Sequence, residues 1–126
     1  MNISNQDIAK ILNEMAAFYE MQNIEFKPRA YEKAAMGVTD LDEEVSERYR
    51  QEGFKGLTRI PGVGHGIAEH IEELLKTGRL LKYEALKKKI PVNLSELMSV
   101  ESVGPKTVKT LYQKLGVRNL GDLRKA

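Results

Sequence analysis

Residues 60–71 read IPGVGHGIAEHI. A proline and a Gly-Val-Gly triplet (Gly62, Val63, Gly64) stand just before Ile67, Ile71, Leu74 and Leu75, which recur at helical spacing up to Gly78. Glycine is required where φ is positive or where another backbone comes close. The stretch therefore predicts a tight hairpin leading into an amphipathic helix. A shift of forty residues lays Leu57 on Leu97, Ile60 on Val100, Val63 on Val103, Gly64 on Gly104 and Leu75 on Leu115. The second copy, VESVGPKTVKTL over residues 100–111, has the same order: apolar short helix, hairpin, second helix. Ser102 stands there in place of the first glycine, and a strained backbone at that point would cost about 1 kcal/mol or more.

Working outward, every other segment also has helical spacing. Ser4 and Asp7 form a capping box ahead of Ile8, Ile11, Leu12, Met15, Phe18 and Tyr19. Phe26-Lys27-Pro28 breaks that helix, and Pro28 suits the first turn of the next. Ala30, Tyr31, Ala34, Ala35 and Val38 make one face of this second helix, where small alanines allow close approach. Thr39 with Asp42 predicts a further capping box, and Leu41, Val45 and Tyr49 a third buried stripe ended by Gly53. One or two turns follow over residues 54–60. A helix through Tyr83 and Leu86 stops before Pro91, and Asn93 caps a short helix holding Leu94, Leu97 and Met98. The last helices run over 105–115, closed by Gly116, and from Asn119 through Leu120 and Leu123. No run alternates with period two for long enough to make a strand. The predicted class is all-α, built of short helices around two hairpins.

Composition narrows the function. The 126 residues suit one domain or two small ones, and the absence of cysteine excludes disulfides and thiolate metal sites. There is no membrane-length apolar run, and MNISNQDIAK lacks the features of a signal peptide, so a cytoplasmic protein is expected, with no membrane partner. The net charge of +2 hides an asymmetry. Residues 1–54 hold six Lys/Arg against eleven Asp/Glu, a balance of −5; residues 55–126 hold fourteen against seven, a balance of +7. The basic half is the half with the hairpins, which suggests a polyanionic partner, although a solvated lysine-rich surface has the same composition.

The hairpins supply chemistry that fits that charge. Each leaves the first amides of its second helix unpaired, and those N–H groups with the helix dipole suit a phosphate oxygen. Carbonyls of Thr58, Ile60 and Val63, and of Met98, Val100 and Val103, could hold Na+ or K+ and bridge to the same phosphate. Such contacts grip a nucleic-acid backbone without reading bases. The candidate DNA-binding residues are Gly62, Val63, Gly64, His65 and Gly66 at the first hairpin, and Val103, Gly104, Lys106 and Lys109 at the second. A single glycine turn would be ordinary; two copies, each opening an amphipathic helix in the basic half, resemble the helix-hairpin-helix family of non-sequence-specific DNA binders.

The resemblance extends over nearly the whole chain. FKPRAYEKAA, LTRIPGVGHGIAEHIEELLKTGRL and LMSVESVGPKTVKTLYQKLGVRNLGDL are similar, in order and spacing, to the amino-terminal region of family X DNA polymerases, the polymerase beta-like enzymes. The resemblance implies a gap-binding first part, residues 1–88, and a second DNA-binding part, residues 89–126. It implies gapped, nicked or 5′-phosphorylated DNA as partner, a role in gap-filling repair, and a palm domain if the chain is part of a longer polymerase. It also implies a 5′-phosphate pocket containing Lys27, Tyr31, His70 and Lys82, with Arg29 and Lys33 on the same short helix as Lys27. Tyr31 reads equally as core, and the lysines as a solvated face.

Three departures limit what carries over. The palm, with its three metal-binding aspartates, lies outside these residues, so no polymerase activity is expected of this chain alone, and Mg²⁺ is implied only for a full-length enzyme. The run Asp40, Asp42, Glu43, Glu44 reads as solvated capping rather than a Mg²⁺ site, and binding DNA requires no cofactor. The position of the family's Schiff-base lysine holds His70, which forms no comparable imine, although the neighbouring Glu69 is retained. A phosphate-binding lysine position holds Gly66, and the histidine before Lys27 is Phe26. Lyase activity on 5′-deoxyribose phosphate is therefore expected to be weak or absent. The alternatives are a lyase using another lysine and a stand-alone scaffold that binds protein through its hairpins.

Overall fold

The computed structural model describes residues 3–101 and 103–125. Among them the chain is all-α: α1 (Asn5–Met21), α2 (Lys27–Thr39), α3 (Val45–Glu52), α4 (Phe54–Thr58), α5 (His65–Thr77), α6 (Leu81–Lys89), α7 (Leu94–Met98), α8 (Pro105–Leu115) and α9 (Leu120–Lys125). No helix among the described residues is long and apolar enough to cross a membrane.

The capping chemistry explains most boundaries. The Ser4 hydroxyl accepts from the Asp7 amide at 3.1 Å while the Asp7 carboxylate accepts from the Ser4 amide, closing the capping box. The Asn93 side chain accepts from the Glu96 amide. Gly78 and Gly116 end α5 and α8 in left-handed conformation, at φ +75° and +68°.

Two expectations are corrected. Thr39 and Asp42 form no capping box: Thr39 ends α2, where its hydroxyl donates to the Ala35 carbonyl. The start of α3 is instead capped from a distance, by Asn5 of α1, whose Oδ1 accepts from the Val45 amide at 2.8 Å while its Nδ2 donates to the Glu43 carbonyl at 2.8 Å. Glu43 in turn binds Arg48 (2.6 Å). Ala30 is exposed, because the buried face of α2 runs through Tyr31, Ala34, Ala35, Gly37 and Val38.

The core centres on α1, which packs most extensively along α2 and also touches α6 and α8. Ile8, Leu12, Met15, Phe18 and Tyr19 are buried with Ala34, Ala35 and Val38. Leu57 and its counterpart Leu97 are both fully buried, each contributing about 2 kcal/mol of transfer energy. Polar contacts tie the later helices to α1 and to one another. Glu14 of α1 accepts hydrogen bonds from the Tyr83 hydroxyl and from Ser95, and the Asn93 amide donates to the Arg118 carbonyl at 2.7 Å.

Candidate nucleic-acid interface

Both hairpins are closed by the same backbone bonds. In the first, amides of Ile60, Val63 and Ala68 donate to carbonyls of Leu57, Ile60 and Gly64 at 3.2, 3.0 and 2.9 Å. Forty residues on, Val100, Val103 and Val108 donate to Leu97, Val100 and Gly104 at 3.3, 3.1 and 3.0 Å. The repeat read in the sequence is thus a repeat of structure. Gly64 and Gly104 are the N-caps of α5 and α8, both extended, and no side chain caps either helix. The leading amides of the two helices are left for another partner.

The glycines of the first hairpin divide into two roles. Gly62 has φ +88°, and a Cβ there would lie 2.7 Å from the Lys33 carbonyl oxygen. Gly37, in the middle of α2, leaves room for the Pro61 carbonyl: a Cβ there would lie 1.8 Å from that oxygen. Interlocking of these two glycines seats the hairpin on α2. Gly64, Gly66 and Gly104 differ. Their φ is not positive, and a Cβ at any of them meets nothing within 4 Å. The fold itself does not require glycine at these three positions, and two of them flank or form the open helix starts.

Val63 is buried and forms the inward side of the first hairpin; Val103 is half-buried. His65, the first residue of α5, is exposed, 3.5 Å from the Glu69 carboxylate and edge-on to the Phe54 ring at 5.1 Å. On α8, Lys106 is exposed and Lys109 half-buried. Ser102, expected to strain the second hairpin, lies outside the described residues.

A second cluster joins four helices. Tyr31 of α2 lies 5.2 Å from the Tyr19 ring of α1 and 6.2 Å from the His70 ring of α5. The Lys27 ammonium sits 4.9 Å from the Tyr19 ring centroid, a cation–π contact. Lys82 of α6 is exposed, and its charge reaches His70 along with that of Lys27. Burial, aided by those two cations, holds the half-buried His70 below its ordinary value near 6.5, although Glu73 and Glu69 pull the other way. Tyr31 is only 6% exposed. Burial first, and the adjacent Tyr19 second, push its phenol up, so it stays neutral. Its primary place is in the core, behind His70 and Lys27. Arg29 and Lys33 are exposed on α2. His70 also lines a depression of about 520 Å³ with Glu69, Glu72, Glu73 and Lys76, whose ammonium lies 3.9 Å from the Glu72 carboxylate. Three carboxylates against the one Lys76 disfavour an anion there, and the side shared with Lys27 and Lys82 suits one better.

Residues 3–80 match the model of a family described as "Helix-hairpin-helix domain". The chain belongs to the helix-hairpin-helix domain family. It is also similar to DNA polymerases of family X. The DNA polymerase/3′-5′ exonuclease PolX of Bacillus subtilis (strain 168) is 29% identical over 96% of this chain and 20% of that protein. DNA polymerase lambda of Rattus norvegicus is 29% identical over 95% of this chain and 20% of its own length. DNA polymerase lambda of Arabidopsis thaliana is 31% identical over 95% and 22%. The chain spans about a fifth of the length of these relatives.

Sequence reading missed two members of this helix-hairpin-helix site. Gly37 stands inside a helical run with no local signal, and only the approach of Pro61 reveals its purpose. Tyr19 was visible as core, but the ammonium above its ring depends on α1 and α2 meeting at that point. An aromatic at the end of one helix, followed closely by a Lys-Pro start of the next, was the available signal.

Proposed function

We propose that this helix-hairpin-helix chain binds gapped or nicked DNA without reading its sequence, as the amino-terminal part of a family X-type polymerase in DNA repair. The observation that carries the proposal is the pair of matched hairpins, each ending in an uncapped helix start at a glycine the fold does not need. Backbone N–H groups there donate to phosphate oxygens, and no base edge need be touched. Lys106 and Lys109 add charge beside the second grip. Na+ or K+ on the carbonyls of Thr58, Ile60 and Val63, and of Met98, Val100 and Val103, would bridge to the same phosphates. Among the described residues the Ile60 and Val100 carbonyls each accept one bond, and a carbonyl oxygen has two lone pairs.

Lys27 and Lys82, on the basic side of His70, would receive the 5′-phosphate at the gap margin, with Tyr31 fixing the ring behind them. In this reading residues 1–88 hold the gap margin and residues 89–126 hold the adjoining duplex. The test compares affinities for phosphorylated and unphosphorylated gaps at one salt concentration, since salt alone moves such affinities by orders of magnitude. Tighter binding of the phosphorylated gap is expected. Equal binding removes the pocket, and strong preference for one base sequence removes the backbone grip.

A further inference from the structure

Three consecutive lysines close α6; Lys87 and Lys88 line one depression and Lys89 another. Lys87 lies 4.7 Å from the Tyr83 ring centroid. Lys88 lines a depression shared with Arg79 and Glu84. Lys89 lines a separate cleft of about 510 Å³ between the end of α1, the end of α6 and the middle of α8. Apolar Met21, Ile24 and Ile90 line this cleft together with Lys89, Lys109 and the half-buried ring of Tyr112. The amides of Gln22 and Gln113 complete the lining, and no carboxylate does. By contrast, Glu20, Glu25 and Glu32 line the neighbouring depression beside Phe26.

An apolar wall, one aromatic ring, two side-chain amides and two lysines match an unpaired nucleotide: the ring and wall for the base, the amides for its edge, the lysines for its phosphate. The volume is in the range of small-ligand sites, which run to roughly 300–1,000 Å³. The place also fits. Lys109 is five residues beyond Gly104 on α8, about 7.5 Å along the helix axis, so the cleft adjoins the phosphate grip of the second hairpin. We infer that this cleft takes an unpaired nucleotide of a DNA strand, so that the chain holds the single strand of a gap beside the duplex held by the hairpins. The inference rests on the proposed function and supplies a basis for preferring a gap to a nick.

The test uses fluorescence anisotropy on the full chain and its Lys89→Ala, Lys88→Ala and Tyr112→Leu variants. The probes are a single-stranded thymidine oligomer, a nicked duplex and a duplex with a gap of several nucleotides. Lys89→Ala and Tyr112→Leu are expected to weaken single-strand and gap binding by about tenfold, with nick binding changed by less than about twofold. Lys88→Ala is expected to change all three only slightly. Lys89 and Lys88 are both exposed, so those variants leave the fold intact, and thermal unfolding checks Tyr112→Leu. The inference is overturned if Lys89→Ala behaves as Lys88→Ala does, or if it weakens nick and gap binding equally. Nick binding without single-strand binding by the unaltered chain overturns the cleft alone. Binding of none of the probes overturns the proposed function with it.

Discussion

The two hairpins share a backbone but differ in how they are held. The first is keyed into α2 through Gly37 and Gly62, and its second helix buries Ile67, Ala68, Ile71 and Leu74. Among the described residues the second shows no such key, and its second helix buries only Val108. Gly64 and Gly104 both leave room for a phosphate, but α5 offers it amides from His65 on, while Pro105 has no N–H and α8 offers them only from Lys106 on. Preorganisation differs too: a loop already fixed loses less freedom when it binds. A repeated motif is therefore not a repeated affinity, and the first hairpin should be the stronger grip.

The largest effect is expected from breaking the key. Gly37→Ala drives a methyl group into the Pro61 carbonyl, where backbone must move. A loss of stability of about 3 kcal/mol or more should appear in denaturant unfolding. Gly62→Ala adds positive-φ strain to its clash with the Lys33 carbonyl and should cost about 2 kcal/mol or more. An unchanged midpoint for either variant would show that the hairpin is not seated as described.

Next in size is the contrast between the open glycines. Gly64→Val should leave the circular dichroism melt nearly unchanged while weakening DNA binding by about tenfold or more, because only the incoming backbone meets the new side chain. Gly104→Val should act in the same direction by a smaller factor. Comparable losses at the two sites would refute the ranking of the hairpins. For the unaltered chain, affinity should fall steeply on a log–log salt plot and hardly vary with base sequence.

His70, which belongs to the first unit alone, sharpens the contrast further. Borohydride trapping on an incised abasic site should yield little adduct, since imidazole forms no stable imine there. His70→Lys should raise the trapped fraction if the rest of the pocket is sound. Efficient trapping by the unaltered chain, abolished by one Lys→Ala change, would name another nucleophile. The smallest effect concerns pH. Burial holds His70 below its ordinary value, so the unfolded chain takes up the proton first, and stability declines as pH falls through about 6.5. The groups facing it are Tyr31 on α2, Glu69 and Glu73 on its own helix, and Lys27 and Lys82. His70→Gln should flatten the difference in melting temperature between about pH 7.5 and 5.5 relative to the unaltered chain. An identical pH profile would contradict the burial of the ring.

Local chemistry was legible in the sequence; distant chemistry was not. Ser4, Asp7, Asn93, Gly78 and Gly116 act within a turn of themselves, and periodicity with capping rules finds them. The forty-residue repeat was legible because Leu57 and Leu97 are buried alike at the same place in each copy, although Leu115 is exposed where Leu75 is half-buried. Asn5 was hidden because its partner, the Val45 amide, is forty residues away, while Thr39 and Asp42 offered a nearer but unused cap. Tyr31 was ambiguous because a pocket residue and a core residue look alike until α1, α2 and α5 meet.

The most direct test of the central claim is an amide NMR titration with a phosphorylated gapped duplex. The predicted result is movement of the His65 and Gly66 amides at low DNA, then of the Lys106 and Thr107 amides at higher DNA, with the exposed face of α3 around Arg50 unmoved. Shifts confined to α3, or none at either helix start while DNA is bound, would contradict the backbone grip.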